Sequence, residues 1–507
     1  MMIDLSAQFL DQLPPDTAVP SYDRDAVKVG IAHFGVGNFH RVHEAVYLDR
    51  CLHLPDHEGW GIVGVGLSDT AAARQKASAL GAQNGLYSVT EFAPDGAANR
   101  RIVGALCRYM HAPEDPEAVL AQLSDPALRI VSLTITEGGY LIDESSGRFA
   151  LDHPGVQHDL AAPLPQTVFG FIVRALARRR DSGIAPFTVV SCDNLRQNGG
   201  TTRRAVVSFA EALDPDLAAW ISSEVAFPNS MVDRIAPYVS AEDRARLNAA
   251  SGFEDALPVM SESYLQWVIE DRFPAGRPDL GAVGVELRDD VALYESVKGR
   301  MLNASHVLLS YVALLLGHRY VHEALADSRV RSLVDVYLTS DVIPLLQGPA
   351  GMSLPTYRDS ILERFSNPAI RDQLIRIATD GSAKIPVFHS ATLQTLLERG
   401  GDLRREALLL ACYARYLLGV DDLGVDFEVA EPSLSDTDRT VLGAADGLGL
   451  LRISSLRALG LAENELFVDV YRATTLALRE GGTDGAIAAA VAPVPGVRGS
   501  ILRADSV

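Results

Sequence analysis

Cysteine is scarce in this chain: Cys51, Cys107, Cys192 and Cys412 are the only four among 507 residues. Four widely scattered thiols cannot frame a disulfide scaffold, and they suit a reducing compartment. Long hydrophobic runs are also missing. The most apolar stretch, VLLSYVALLLG from Val307, is far shorter than the ~20 residues that a bilayer-spanning helix needs. Positive charge is in deficit, with 45 Lys+Arg against 65 Asp+Glu and a net charge of -20. Such a surface repels phosphate backbones and anionic headgroups, which argues against nucleic-acid and membrane partners while leaving room for a local basic pocket. The start, MMIDLSAQFLDQLPPD, is acidic and lacks the basic-then-apolar order of a secretory signal. The expectation is a soluble, cytoplasmic protein. No spacing of Cys, His and acids completes a zinc set, since Cys51 with His53 and Cys107 with His111 lack further ligands, and no GxSxG elbow is present. Metal-assisted and acyl-transfer chemistry therefore lose ground.

What is present is apolar substance: 48% of the residues are hydrophobic, enough for a large core and two domains. The stretch VKVGIAHFGVGNFHRVHEAVYLDR reads as a buried strand, a glycine turn and a helix beginning near Asn38. Further short apolar runs end at Leu67, Ile135 and Asn194. Helical stretches separate several of them, which predicts a parallel sheet covered on both faces. The segment LYSVTEFAPDGAANRRIVGAL reads as a polar hairpin added to that sheet. From about Val291 the pattern turns helical. The fold class expected is α/β, an expanded Rossmann-type nucleotide-binding domain over residues 1–285 and a mostly helical domain over 286–507. The alanine- and glycine-rich GGTDGAIAAAVAPVPGVRGS predicts a loosely held C-terminal end.

The chemistry-bearing residues gather at the ends of the predicted strands. In HFGVGNFHR, Gly35 and Gly37 let the backbone turn tightly and approach a pyrophosphate, which unpaired N–H groups at the start of the helix would hold. His40 stands where a third glycine is usual. Two spaced glycines alone are as consistent with a structural turn; the strand before them and the helix after them favour a dinucleotide. Asp69, after the second strand, would accept hydrogen bonds from the adenosine ribose and repel the phosphate of NADP, so NAD is the expected cofactor, although a solvated loop acid reads equally well. TEGGY (Thr136–Tyr140) and SCDN (Ser191–Asn194) close two further strands, where Asn194 could orient a substrate oxygen or a nicotinamide amide, or merely satisfy a turn.

In SVKGRMLNASH, a uniform α-helix would set Asn303 ~140° and His306 ~80° around from Lys298, with Arg300 pointing elsewhere and Met301 and Leu302 as apolar anchors. Most such trios are solvated decoration or satisfied core residues. If this one is a site, Lys298 can take the hydroxyl proton of an alcohol as hydride leaves, once its pKa has fallen well below ~10.4. Asn194 and Asn303 would then hold the developing oxyanion. Arg376 and Lys384, in LIRIATDGSAKIP, could contact hydroxyls or a carboxylate.

Taken in order, GVGNFHR, TEGGY, SCDNL, FPNSMVDRIAP (Phe227–Pro237), ESYLQWVIED, KGRMLNASH and DGSAKIP resemble the motifs of the mannitol dehydrogenase family, the long-chain polyol and hexuronate dehydrogenases that need no metal. The resemblance runs from about Val27 to beyond Ala488. It implies Lys298 as general base, Asn194 and Asn303 on the reacting oxygen and His306 assisting substrate binding. It also implies that Asp233, Arg376 and Lys384 belong to a polyol pocket and that Gly35, Gly37, Asn38, Phe39, Asp69, Thr136 and Glu137 belong to the cofactor site. The missing third glycine is a family trait. The activity implied is NAD-dependent oxidation of an acyclic polyol to a ketose, D-mannitol to D-fructose first, with D-arabinitol and D-sorbitol as further candidates. The alternative is a hexuronate or hexonate oxidoreductase of the same family. Several polyol-oxidising members act as monomers and others associate.

Overall fold

The computed structural model describes residues 2–142 and 147–493. It divides into two compact units, Met1–Ser296 and Val297–Val507.

The strands of the first unit that matter for the site are β1 (Val29–Phe34), β2 (Gly61–Gly66), β3 (Tyr87–Phe92), β4 (Ala98–Val103), β5 (Leu106–His111), β6 (Ile130–Leu133), β7 (Thr188–Ser191) and β8 (Val259–Glu262). Five form a sheet in the order β5-β2-β1-β6-β7, parallel throughout. Ala32 pairs with Val63 on one side and Val131 on the other. Alternate residues face opposite ways. Phe34, Val65 and Leu133 pack on one face with Phe169 and Ile172, whereas Ile31, Ile62 and Ile130 pack on the other with Val42 and Val46. Burial of both faces is why these strands read as unbroken apolar runs. The chain leaves β1 toward β2 on one side and returns to β6 on the other. That makes the carboxyl ends of β1 and β6 a topological switch point, where open α/β sheets bind ligands.

Two expectations need correction here. The β3–β4 segment is a hairpin, but it belongs to a separate four-stranded sheet with β8 and the edge strand Thr17–Ala18. All six residues of β3 are buried, Ser88, Thr90 and Glu91 among them, and β8 pairs with it in parallel, so the polar residues of this strand lie inside. The fifth strand of the main sheet is instead β5, whose sequence LCRYMH is interrupted by Arg108 and sits at an edge, leaving no apolar run to read.

Three helices frame the switch point: α1 (Asn38–Val42), α2 (Glu44–Leu52) and α3 (Ala71–Ala82). The last is capped by Thr70, whose hydroxyl accepts from the Ala73 N–H.

The second unit is helical. Among its described residues there is no strand, only the bridges Tyr320–Gln373 and Val420–Asp426. It opens on a helical run that begins before the boundary: α4 (Val291–Lys298), a π-helical turn at Gly299–Asn303 and α5 (Ala304–Leu315). Every residue of α5 is buried, which is how a helix apolar all round must sit. Around it stand α6 (Leu374–Ala378), α7 (Gly381–Arg399) and α8 (Arg404–Tyr416), and α9 (Glu465–Val491) packs along α8. The expected loose C-terminal end is therefore helical as far as Val491; residues 494–500 of that stretch lie outside the described residues. It is held because Arg405 donates to Ala490 O at 2.8 Å, Arg404 donates to Ala492 O at 2.8 Å and Asp422 accepts from the Thr483 N–H at 2.7 Å. The glycines are accommodated by a bend at Gly482, where φ is +63°. Among the described residues no helix is long and apolar enough to cross a membrane.

Candidate active site

In the first unit the site grows from the turn after β1. Gly35 has φ +93°, and a Cβ there would lie 2.0 Å from Thr134 O, so the position admits only glycine. The Gly37 N–H donates back to Gly35 O at 2.6 Å. A Cβ on Gly37 would meet nothing nearer than Gly35 O at 3.8 Å, which leaves that side of the turn open to a ligand. The helix that follows, α1, has only five residues before the chain kinks at His43 (φ -114°, ψ -92°). The expected helix does begin at Asn38, but it is a single turn, followed beyond the kink by α2. Asn38 is tied down at both ends, donating to Pro237 O at 3.2 Å and accepting from Arg41 Nη2 at 2.8 Å. Phe39 stacks on His43 with ring centroids 4.9 Å apart.

Past β2, Asp69 is exposed and ion-paired with Arg74 of α3. It borders a cavity of about 510 Å³ lined also by Leu67, Ala112, Pro113, Pro116 and Pro165. A concave, largely apolar space with one carboxylate at its rim suits the adenosine end of a dinucleotide. Together with the open side of Gly37, it makes the residues present a fit for such a cofactor.

The two polar strand-end motifs prove to be one network. The Asp193 carboxylate accepts from the N–H groups of Ile135 (2.9 Å) and Thr136 (3.1 Å) and from Tyr140 Oη (2.7 Å). Tyr140 Oη also meets Ser191 Oγ at 2.6 Å. Burial pushes the Asp193 carboxyl up to about 6 against the pull of these hydrogen bonds. The network holds Thr136 at φ +64°, ψ 163°, a region that β-branched residues avoid and that tends to persist at binding sites. Glu137 and Asn194 are exposed beside it. Asn198, missed in the sequence, donates to Ser191 O at 3.0 Å and to Ser230 O at 2.9 Å, tying β7 to the strand Ser230–Asp233 that ends in buried Asp233. The neighbouring Arg234 is structural: it binds Glu91 at 2.6 Å and Glu262 O at 2.8 Å.

In the second unit Lys298 and His306 are buried and Asn303 half-buried. The helix between them is not the uniform α-helix expected. A π turn closes i→i+5 and so takes up one more residue than an α turn. Discounting that residue, Asn303 lies ~40° to one side of Lys298 and His306 ~20° to the other, so the expected ~140° arc narrows to about 60°. Met301 and Leu302 are buried anchors, and Arg300 turns away to donate to Thr392 Oγ1 at 3.0 Å.

His306 stacks on Phe365 (4.2 Å, 18°) and lies 3.7 Å from Asp372. Burial pushes its pKa down to about 3, with Asp372 opposing and Arg376, Arg364 and Lys298 adding to the fall. The imidazole is neutral near pH 7 and can both donate and accept. Asp372 was not foreseen. It grips Arg376 in a fork, Oδ1 at 2.7 Å and Oδ2 at 2.8 Å from Nη2, and its i,i+4 spacing was the signal available. Lys384, in the first turn of α7, donates to Ile377 O at 3.1 Å near the end of α6. The amides of Gly381 and Ser382 donate to Glu431 at 2.9 and 3.2 Å. Gly381 is required because a Cβ would lie 2.0 Å from Tyr311 Oη.

Among the described residues one group, His33, His40 and Glu44, brings possible metal-ligand atoms within 4.8 Å of one another. Its two imidazoles stack 3.5 Å apart at 15°. Two near-parallel ring planes so close cannot both contain one tetrahedral ion.

A glycine turn at the switch point of a parallel sheet, joined in sequence to a helical unit bearing a lysine, an asparagine and a histidine, defines a Rossmann-type nucleotide-dependent protein of two domains. Residues 29–282 match the mannitol dehydrogenase Rossmann domain and 290–478 the mannitol dehydrogenase C-terminal domain. The chain is 47% identical to the polyol:NADP oxidoreductase of Gluconobacter oxydans, covering 96% of this chain and 100% of that protein. Among solved structures it is similar to D-sorbitol dehydrogenase in substrate-free form (46% identity, TM-score 0.84, 95% and 100% coverage). It is also similar to Pseudomonas fluorescens mannitol 2-dehydrogenase in ternary complex with NAD and D-mannitol (39% identity, TM-score 0.90, 96% and 99% coverage). The chain belongs to the mannitol dehydrogenase family and is an oxidoreductase.

Proposed function

We propose that this enzyme reversibly oxidises an acyclic polyol at C2 to a ketose with NAD, and that D-mannitol to D-fructose is its principal reaction. Residues 1–285 serve as the nucleotide domain and residues 286–507 as the helical domain carrying the base. The observation that carries the reading is the π turn at Gly299–Asn303, whose extra residue brings Lys298, Asn303 and His306 within about 60° of one another around the helix. Lys298 takes the hydroxyl proton, and Asn194 and Asn303 hydrogen-bond the oxygen as it becomes a carbonyl. Neutral His306 orients a neighbouring hydroxyl, and Asp233, Arg376 and Lys384 complete the polyol pocket. When bound, the nicotinamide accepts the hydride. Gly35, Gly37, Asn38, Phe39, Thr136 and Glu137 hold the dinucleotide, and Asp69 meets the adenosine ribose.

The NAD preference rests on Asp69, whose carboxylate repels a 2′-phosphate. The second reading, NADP, is favoured by Arg74, a cation already paired with Asp69, and by the name of the Gluconobacter relative. For the substrate, the forked Asp372–Arg376 pair favours a neutral polyol over a hexonate, because the guanidinium is already matched by a carboxylate. We place the enzyme in the cytoplasm. Reduction of NAD and NADP, followed at the nicotinamide absorbance without added metal on D-mannitol, D-arabinitol, D-sorbitol and D-mannonate, tests the cofactor and substrate assignments. Turnover of D-mannitol with NAD is expected to lead; activity confined to D-mannonate would overturn the polyol assignment.

A further inference from the structure

Each backbone carbonyl of the Gly35–Val36–Gly37 turn is held by a side chain from elsewhere in the first unit. Gly35 O accepts from Thr134 Oγ1 at 2.6 Å and lies 3.3 Å from His33 Nε2. Val36 O accepts from Lys76 Nζ at 2.9 Å, reached from α3. Gly37 O accepts from Arg41 Nε at 3.3 Å. Behind Thr134 stands His33, buried on the α2 side of β1, with Nε2 2.9 Å from Thr134 Oγ1 and Nδ1 2.8 Å from Ser132 Oγ and 3.0 Å from Glu44. Thr134 has one hydroxyl proton and gives it to Gly35, so His33 Nε2 must be the N–H donor to Thr134.

We propose that Thr134, backed by His33, together with Lys76 and Arg41 forms a carbonyl clamp that holds this turn ready for the diphosphate of the dinucleotide, with Thr134 and Lys76 acting as positioning residues for cofactor binding. The proposal rests on the nucleotide-binding reading above. In a trans peptide C=O and the next N–H point in opposite directions. Fixing the carbonyls of Gly35 and Gly37 inward therefore turns the amides of Val36 and Asn38 away from the clamp. Lys76 and Arg41 also place two cations at the turn of a chain whose net charge is -20, where a polyanionic ligand would otherwise be repelled. Lys76 is the half-buried member, and its ammonium lies 5.9 Å over the Tyr109 ring.

An unclamped turn populates other conformations, and the apparent affinity falls with the competent fraction, whereas chemistry from the saturated complex does not. The test is a titration of NADH and NADPH into wild type, Thr134→Val, Thr134→Ser, Lys76→Met and Lys76→Arg, with kcat and polyol KM measured at saturating dinucleotide. Thr134→Val and Lys76→Met should each raise the dinucleotide Kd about tenfold. Turnover and polyol KM should stay within about twofold, and the serine and arginine variants should restore affinity. Unchanged Kd in both deletions would overturn the clamp. So would a joint fall in affinity, kcat and polyol affinity that neither conservative variant rescues, since that is a general loss of structure. A wild type that binds neither dinucleotide would remove the nucleotide reading itself.

Discussion

The two units carry their candidate residues by opposite means. In the first unit the candidate element is backbone, and side chains hold it: Thr134, Lys76 and Arg41 on the glycine turn, Asp193 on the Ile135 and Thr136 amides. In the second unit the candidate elements are side chains, and an irregular backbone aims them. One π turn rotates Asn303 and His306 toward Lys298, and the buried anchors Met301 and Leu302 keep it in place. Cofactor recognition should therefore tolerate no added atom at the turn. Proton transfer should instead depend on single functional groups.

The largest expected effect breaks the second half alone. Lys298→Ala should lower kcat about 10³-fold, in the range of lost general acid–base catalysis, while the dinucleotide Kd stays near wild type. Turnover close to wild type would remove Lys298 as the base. The matching lesion in the first half is Gly35→Ala, whose methyl would meet Thr134 O at 2.0 Å in a backbone with φ +93°. It should weaken dinucleotide binding about 100-fold, by strain that only a shift of the turn or of Thr134 could relieve. Wild-type affinity in that variant would mean the turn is not the cofactor's seat.

Legibility in the sequence follows the same division. Strands buried on both faces are contiguous in sequence, so β1, β2, β6 and β7 could be read from composition, and so could the glycine turn. The edge strand β5 could not, because Arg108 breaks its pattern, and β3 was assigned to the wrong sheet because its partner β8 lies more than 150 residues downstream. The motifs around Thr136 and Asn194 were visible, but not the role of Asp193, which depends on a contact across 57 residues. On the helix the residue types were legible and their angles were not. A π turn has no composition of its own, so a strict 100° period spread over ~140° a trio that the backbone gathers into about 60°.

A smaller effect separates the reactive group from its support. Asp372→Asn removes the charge that holds Arg376 in a fork and faces His306 at 3.7 Å. It should raise polyol KM about tenfold with kcat changed much less, because the pocket loosens while Lys298 is untouched. An equal fall in kcat at unchanged KM would place Asp372 in the chemical step instead.

The smallest effect sets the two units against each other through pH. Asp193 has its folded pKa raised from 3.8 to about 6, chiefly by burial. Its contribution to stability is fully present below 3.8 and is lost as pH rises through about 6. His306 has its folded pKa lowered from 6.5 to about 3, again chiefly by burial. Its contribution is present above 6.5 and declines as pH falls toward about 3, since the unfolded imidazole takes up a proton that the folded one refuses. Going from pH 7.5 to 5.5, Asp193 should strengthen its unit and His306 weaken its own, each by about 1 kcal/mol. Hydrogen exchange resolved by segment around residues 130–200 and 298–315 in wild type, Asp193→Asn and His306→Gln checks this. Acidification should protect the first segment and expose the second, and each variant should flatten the response of its own segment only. A response of the same sign in both segments would mean that neither buried group governs the local balance.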